Sequence, residues 1–342
     1  MFMHKKAAIR SIESYLPPQK LGNDKLSLDF PHIDIDKIYK NTGVSQRSIA
    51  RENECASDLG IMASRKLFNE GIINPEEIDF LIFCTQTPDY FLPSSSCIIQ
   101  EQLGIKTSCG ALDLNLGCSG FVYGLALAKS LIESGQVENV LLITSDVLSK
   151  VINPRDLSAR FLFSDGASAA LISGISSKEE FIGPFIFGTN GKGGENLIIP
   201  AGCMRIRPNA ETAVAREDKS GNIRSAEELF MDGAEIFNFS LKTVPKAVNQ
   251  LLSKCHLSIE DIDFFIFHQA NRLMLETLRR KIGIPEDKFS MNLELIGNTI
   301  SSTIPMALRE AVDQGKIYKG SNVLLVGFGV GYSWSSSIIR IL

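Results

Sequence analysis

Two stretches of the chain share one pattern of polar and apolar positions. Residues 73–84, INPEEIDFLIFC, and residues 257–268, LSIEDIDFFIFH, each open on a capping residue and an acidic turn. Each then enters an unbroken apolar run, the mark of a strand buried on both faces. Their starts lie 184 residues apart. Between them, ALDLNL (111–116) alternates apolar and polar positions and predicts a strand. GCSG (117–120) makes a tight turn, and FVYGLALAKSLIESG (121–135) predicts a helix ending at Gly135. Further on, DFFIF is a strand that stops at His268, and HQAN (268–271) opens a helix.

The pattern recurs twice more. GCSGFVYGLALAKSLIESGQV (117–137) matches GNTISSTIPMALREAVDQGKI (297–317) at an offset of 180, and NVLLITSDV (139–147) matches NVLLVGFGV (322–330) at 183. Three matches in one order predict two copies of one α/β unit, at about 1–175 and 176–342. Strand, helix and strand in each copy predict right-handed crossovers and a mostly parallel sheet. The polar stretch at about 188–228 reads as an inserted loop or lid over the second half. SDGASAALIS (164–173) reads as a hairpin or a bulge. GFGVG (327–331), set between two apolar runs, lets backbone approach a ligand or simply turns the chain.

Composition narrows the function classes. The chain has 342 residues, 44% hydrophobic and 22% charged, with net charge -4. Those values fit a globular protein with a sizeable core and give no global basic field for nucleic acid. Seven cysteines without a C-x-x-C pair exclude zinc-finger spacing and a disulfide framework, so reduced thiols, a cytoplasmic setting and no metal are expected. The N-terminal MFMHKKAAIRSIESYLP lacks a secretory apolar stretch, and no run of 18 apolar residues predicts a membrane span.

Cys118 follows the strand and precedes the helix. Unpaired N–H groups and the macrodipole at a helix N-terminus favour an anion, which lowers a thiol pKa and makes a nucleophile. The alternative is a small buried hydrophobe, the usual fate of a free cysteine. His268 stands where a strand gives way to a helix, as a base, a donor or a satisfied core histidine. The other histidines (4, 32 and 256) read as surface residues. Asn298 precedes a helix and could be no more than its N-cap. It also occupies the repeat position of Cys118, as His268 occupies that of Cys84, and a pseudo-two-fold fold would bring these turns to one cleft.

Taken together, the residues resemble the ketoacyl-ACP synthase III group of the thiolase superfamily. The match covers SYLP (14–17), NTGVSQRSIA (41–50), GCSGF, FSDGASAAL, HQANRLM, GNTISSTIP and GFGVGYSW. The resemblance implies a five-layered αβαβα fold, a homodimer and an acyltransferase of fatty acid biosynthesis without cofactor. Its substrates are carried on CoA or on acyl carrier protein. It makes Cys118 the acylated nucleophile and His268 and Asn298 the donors for a malonyl thioester that loses carbon dioxide. The N–H groups of Cys118 and Val330 become the oxyanion hole.

Three departures from the family pattern stand out. Val330 replaces the middle glycine of a Gly-Gly-Gly loop. Lys37 and Leu157 stand where a Trp and an Arg would clamp the CoA adenine, and the only tryptophan is Trp334. Leu92 stands where an aromatic residue gates the primer pocket, which widens the range of primers. Arg272, Arg279, Arg280 and Lys281 form either a solvated helix face or a docking patch for an acidic carrier protein. Condensation in a specialised lipid, polyketide or surface-glycan pathway is expected, and two other functions compete with it: acyl transfer to oxygen or nitrogen by the same three residues, and a non-catalytic subunit of a condensing complex.

Overall fold

The computed structural model describes residues 5–342. Nine strands build two central sheets. The first holds β1 (Lys5–Tyr15), β2 (Phe80–Cys84), β3 (Gly110–Leu114), β4 (Asn139–Asp146) and β5 (Gly166–Ser176) in the order β1-β5-β4-β2-β3. The second holds β6 (Ile182–Thr189), β7 (Phe264–Phe267), β8 (Asn322–Gly329) and β9 (Ser333–Arg340) in the order β6-β9-β8-β7. A parallel bridge from Phe265 to Phe289 lies beside β7, where the first sheet has β3.

Six helices complete the layers: α1 (Ala56–Asn69), α2 (Ser95–Gln102), α3 (Gly120–Glu133), α4 (Gly233–Cys255), α5 (Arg272–Ile282) and α6 (Thr303–Asp313). The apolar runs explain the stacking, because successive strand residues face opposite layers. Leu81 and Phe83 of β2 pack with Leu59 and Leu67 of α1, while Ile82 packs with Leu125 of α3. In β7, Phe264 and Ile266 face the middle layer of α3 and α6, and Phe265 and Phe267 face α4 and α5. The result is helix, sheet, helix, sheet, helix, the five-layered α/β arrangement of the thiolase type.

Three expectations need correction. The sheets are mixed rather than mostly parallel. Only strands joined by crossover helices run parallel, β2 with β3 and β4, and β7 with β8. β5 and β9 return antiparallel, and β9 follows β8 through a turn too short for a crossover. SDGASAALIS is neither hairpin nor bulge but the start of an 11-residue strand. Its small residues let it pack on both faces, Ala167 and Ala169 outward and Ala170 inward; the irregularity falls on its neighbour β1, between Ile9 and Ser11. The 188–228 segment does not sit on the second half alone. The Ile223 N–H donates to the Arg155 carbonyl at 3.4 Å, and Arg224 pairs with buried Asp156 at 2.6 Å.

Candidate active site

Cys118 sits in the turn between β3 and α3, with Ser119 as the residue before the helix. The last strand pair clamps this turn. Ser119 Oγ lies 2.6 Å from Ser333 Oγ, and Ser335 Oγ donates to the Ser119 carbonyl at 3.1 Å. Gly329 of β8 allows the close approach: a Cβ there would lie 2.7 Å from Cys118 Sγ. The backbone N–H groups of Val330 and of Cys118 itself favour the sulfur's anion. Burial acts more strongly. The side chain is 7% exposed, and the thiol is pushed up to about 12. The lowered thiol pKa expected from the helix terminus is thus not found, because desolvation outweighs the backbone N–H groups.

His268 ends β7, and its own N–H donates to the Val326 carbonyl at 2.8 Å. Its Nδ1 lies 2.7 Å from Thr303 Oγ1 at the start of α6. The ring is 2% exposed, and burial lowers its pKa to about 3 against a small lift from the Ile300 carbonyl. The imidazole is therefore neutral. When Thr303 turns its hydroxyl proton onto Nδ1, Nε2 carries the ring proton and can donate.

Asn298 is 3% exposed. Its backbone is pinned to the first half, with its N–H donating to the Leu162 carbonyl and its carbonyl accepting from Ser164, each at 3.0 Å. Its Oδ1 accepts from the Ile300 N–H at 2.9 Å, which orients the amide. Nδ2 donates one hydrogen to the Ala270 carbonyl at 3.3 Å and keeps a second. Asn298 is not the N-cap of α6, which begins after Ser302.

The three side chains line one pocket of about 70 Å³, with Phe163, Leu197 and Phe328 among its apolar walls. It shares Leu162, Met231, Gly233, Asn271 and Met274 with an outer cavity of about 460 Å³. Leu157 lines that outer cavity beside Ile38 and Phe237. Lys37 is exposed on the helix Ile35–Thr42 and does not line it. Trp334 packs against Phe239, away from both spaces. Leu92 is 82% exposed beside exposed Tyr90 and Phe91, and does not reach the Cys118 pocket of its own chain.

The four basic residues after HQAN are not one free patch. Arg279 is 12% exposed and pairs with Glu276 at 3.0 Å and Glu286 at 3.4 Å. Arg272 lies over the Tyr39 ring at 4.9 Å. Arg280 is exposed and pairs with Glu276 at 3.3 Å. Lys281 instead joins Lys242 and Lys246 of α4 around a surface cleft that shares Asn238 with the outer cavity. The sequence reading passed over these two lysines, although their four-residue spacing in a helix sets them on one face. It also passed over Thr303 and Ile300. Among the described residues no cluster of three metal-ligating side chains occurs, and no helix is long and apolar enough to cross a membrane.

Comparison with known proteins matches the chain over nearly its whole length. The 3-oxoacyl-[acyl-carrier-protein (ACP)] synthase III family matches residues 112–191, and its C-terminal counterpart matches residues 252–341. A β-ketoacyl-[acyl-carrier-protein] synthase III of Caldanaerobacter subterraneus subsp. tengcongensis is 38% identical over 334 residues, covering 98% of this chain and 97% of the relative. A crystal structure of a 3-oxoacyl-(acyl-carrier-protein) synthase III superposes with a TM-score of 0.97 at 48% identity, covering 98% of this chain and all of the other. A 3-oxoacyl-(acyl-carrier protein) synthase from Burkholderia xenovorans LB400 superposes with a TM-score of 0.90 at 37% identity, covering 99% of this chain and 95% of the other. The chain therefore belongs to the β-ketoacyl-[acyl-carrier-protein] synthase III family of condensing acyltransferases.

Proposed function

We propose that the chain accepts an acyl group from a thioester on Cys118 and condenses it with malonyl held on acyl carrier protein. The Cys118 sulfur attacks the primer carbonyl, the donor thiol leaves with the cysteine proton, and an acyl-Cys118 thioester remains. The N–H groups of Cys118 and Val330 stabilise the oxyanion formed in that step. Malonyl then loses carbon dioxide. Its C–C bonding pair becomes an enolate, which attacks the acyl carbon and expels the Cys118 sulfur.

The observation that carries this proposal is the pair of neutral donors lining the same pocket as Cys118. His268 stays uncharged through burial, and the Asn298 amide is fixed with one N–H to spare. Neutral donors stabilise developing enolate charge, whereas a carboxylate in their place would favour proton abstraction. Simple acyl transfer to oxygen or nitrogen gives the second N–H no purpose.

Substrate delivery follows from the outer surface. The cavity wall at Leu157, Ile38 and Phe237 is apolar and offers an adenine no aromatic and guanidinium clamp, which favours a primer held mainly by its pantetheine arm. Lys242, Lys246, Lys281 and Arg280 replace the original four-residue patch as the carrier-protein dock, with Arg279 holding the helix end. The exposed Tyr90-Phe91-Leu92 segment fits a homodimer in which Leu92 gates the partner's primer pocket.

The test is intact mass after incubation with acyl-CoA and with acyl carrier-protein donors, wild type against Cys118→Ala. One acyl adduct on wild type and none on the variant is expected. Adding malonyl carrier protein should then release carbon dioxide and give ketoacyl product. A wild type that takes up no acyl group would refute the proposal, and loading without carbon dioxide release would leave acyl transfer alone.

A further inference from the structure

Asp146 ends β4 in the first half and is fully buried, yet no cation pairs with it among the described residues. Three donors surround it. The Gln86 N–H reaches Oδ1 at 2.8 Å, and the Ser301 N–H reaches Oδ2 at 3.2 Å. The Ser301 hydroxyl also donates to Oδ2. Ser301 belongs to the second half, in the short turn Ile300–Ser302 that follows Asn298. A neighbouring contact reinforces the join: Ser302 Oγ donates to the Thr144 carbonyl at 2.9 Å.

That turn controls both donors. Ile300 has φ 56, a left-handed conformation for a β-branched residue, and such a conformation persists only where its surroundings over-determine it. In this conformation the Ile300 N–H orients the Asn298 amide through Oδ1. The Ile300 carbonyl, on the other side of the same residue, lies 3.0 Å from Thr303 Oγ1 and is the alternative target of the one hydroxyl proton that serves His268 Nδ1. Thr303 Oγ1 in turn meets His268 Nδ1. One strained residue thus sets the rotation of Asn298 and the hydroxyl partner of His268. What fixes the residue after it is the carboxylate of Asp146.

We infer that Asp146 is a positioning residue for condensation, holding the Ile300–Ser302 turn so that Asn298 and His268 share one target. The role rests on the condensing function proposed above for those two side chains. Asp146 acts across the join between the halves, so the half that carries the nucleophile also aligns the donors of the other half.

The experiment uses the full chain, with Asp146→Asn and Ser301→Ala beside wild type, and measures two half-reactions. Acyl loading is followed by intact mass, and decarboxylation by carbon dioxide release from malonyl carrier protein. In Asp146→Asn the amide group cannot accept from all three donors, so the turn loosens. Decarboxylation should then fall about 10²-fold, the penalty of a displacement near 1 Å, and loading by a factor about ten smaller or less. Ser301→Ala removes the hydroxyl donor but keeps the N–H, and should give a smaller loss of the same kind. The double variant should be no worse than Asp146→Asn alone, since both act through one contact. Parallel loss of both half-reactions would reduce Asp146 to a structural role and overturn the inference, as would no loss at all. If Asp146→Asn does not fold, Ser301→Ala carries the same comparison. A wild type that neither loads nor decarboxylates overturns the condensing function itself, a different outcome from an insensitive Asp146.

Discussion

Gly329→Ala adds one methyl group where the last residue of β8 meets the nucleophile. The new Cβ would lie 2.7 Å from Cys118 Sγ and 2.8 Å from Cys118 Cβ. Ordinary contacts between such atoms fall at about 3.5–4.0 Å, so something must move by about 1 Å. The cysteine has little room to retreat. Ser119 beside it is bonded to Ser333 and Ser335, and a Cβ at Gly327 would already lie 2.6 Å from Ser119 Cα. The strand therefore shifts, and the Val330 N–H shifts with it. Overpacking of this kind costs about 1–3 kcal/mol. At about 2.1 cal/mol/K of unfolding entropy per residue, a 342-residue chain loses only about 1–4 °C in Tm. Loading should suffer far more, about 10²-fold, since a displacement near 1 Å disrupts attack geometry. Calorimetry and a time course of acyl-Cys118 by intact mass give the two numbers. A variant that loads at the wild-type rate would refute the claim that β8 and the cysteine turn are in fixed contact.

Burial raises the Cys118 thiol to about 12 from an ordinary 9.0. A group held protonated in the fold reacts faster as pH rises, so iodoacetamide alkylation of Cys118, followed on its own peptide, should climb about tenfold per pH unit from pH 7 to 10. Levelling near pH 8.5 would show an unperturbed thiol. Burial lowers His268 to about 3, so the imidazole is neutral above that pH, and the rate of carbon dioxide release should show no histidine inflection between about pH 5 and 8. Burial raises the Asp146 carboxyl to about 7, so an inflection near 6.5 that persists in Asp146→Asn would mean that water reaches the imidazole. Lys242→Glu with Lys246→Glu should raise KM for malonyl carrier protein and flatten its dependence on salt; unchanged carrier kinetics would move the dock elsewhere.

The buried runs and the turns of the candidate site were legible because their physics is local. An unbroken FLIF or FFIF has nowhere to go but a sheet covered on both faces. A glycine before Cys118 and before Asn298 marks a turn regardless of what packs on it. The sheet mixture was less legible. Direction depends on connection length and on partners distant in sequence, and the three matched segments were those joined by crossovers. Small-residue runs were read in the wrong sense: GASAA looks like a hairpin or a bulge until helices are known to press on it. Charge misled in the same way. Arg279 sits beside Arg280 in sequence, but helix geometry turns one toward Glu286 and the other outward. Net thiol acidity was the hardest to read, since the dipole is visible in sequence and desolvation is not.

On the proposed function, the two halves account for one nucleophile and two donors in the site. Cys84 and His268 end equivalent strands, and Gly120 and Ile300 stand at equivalent places three residues after the turn glycine. In the first half, a Cβ on Gly120 would lie 2.2 Å from Cys84 Sγ, and that sulfur lies 3.1 Å from the Leu116 carbonyl. Helix α3 thus presses directly onto the strand end, which leaves no room for an imidazole and presents Cys118 at its start. In the second half, Ile300 adopts φ 56 and α6 begins later, after Ser302. The extra turn opens the space that His268 fills and swings Asn298 to face it. Replacing the tight helix start of the first half with the strained turn of the second converts a site for presenting sulfur into one for presenting N–H groups. Because that turn is anchored to Asp146 and Thr144, the donors are registered against the same sheet that supports the cysteine.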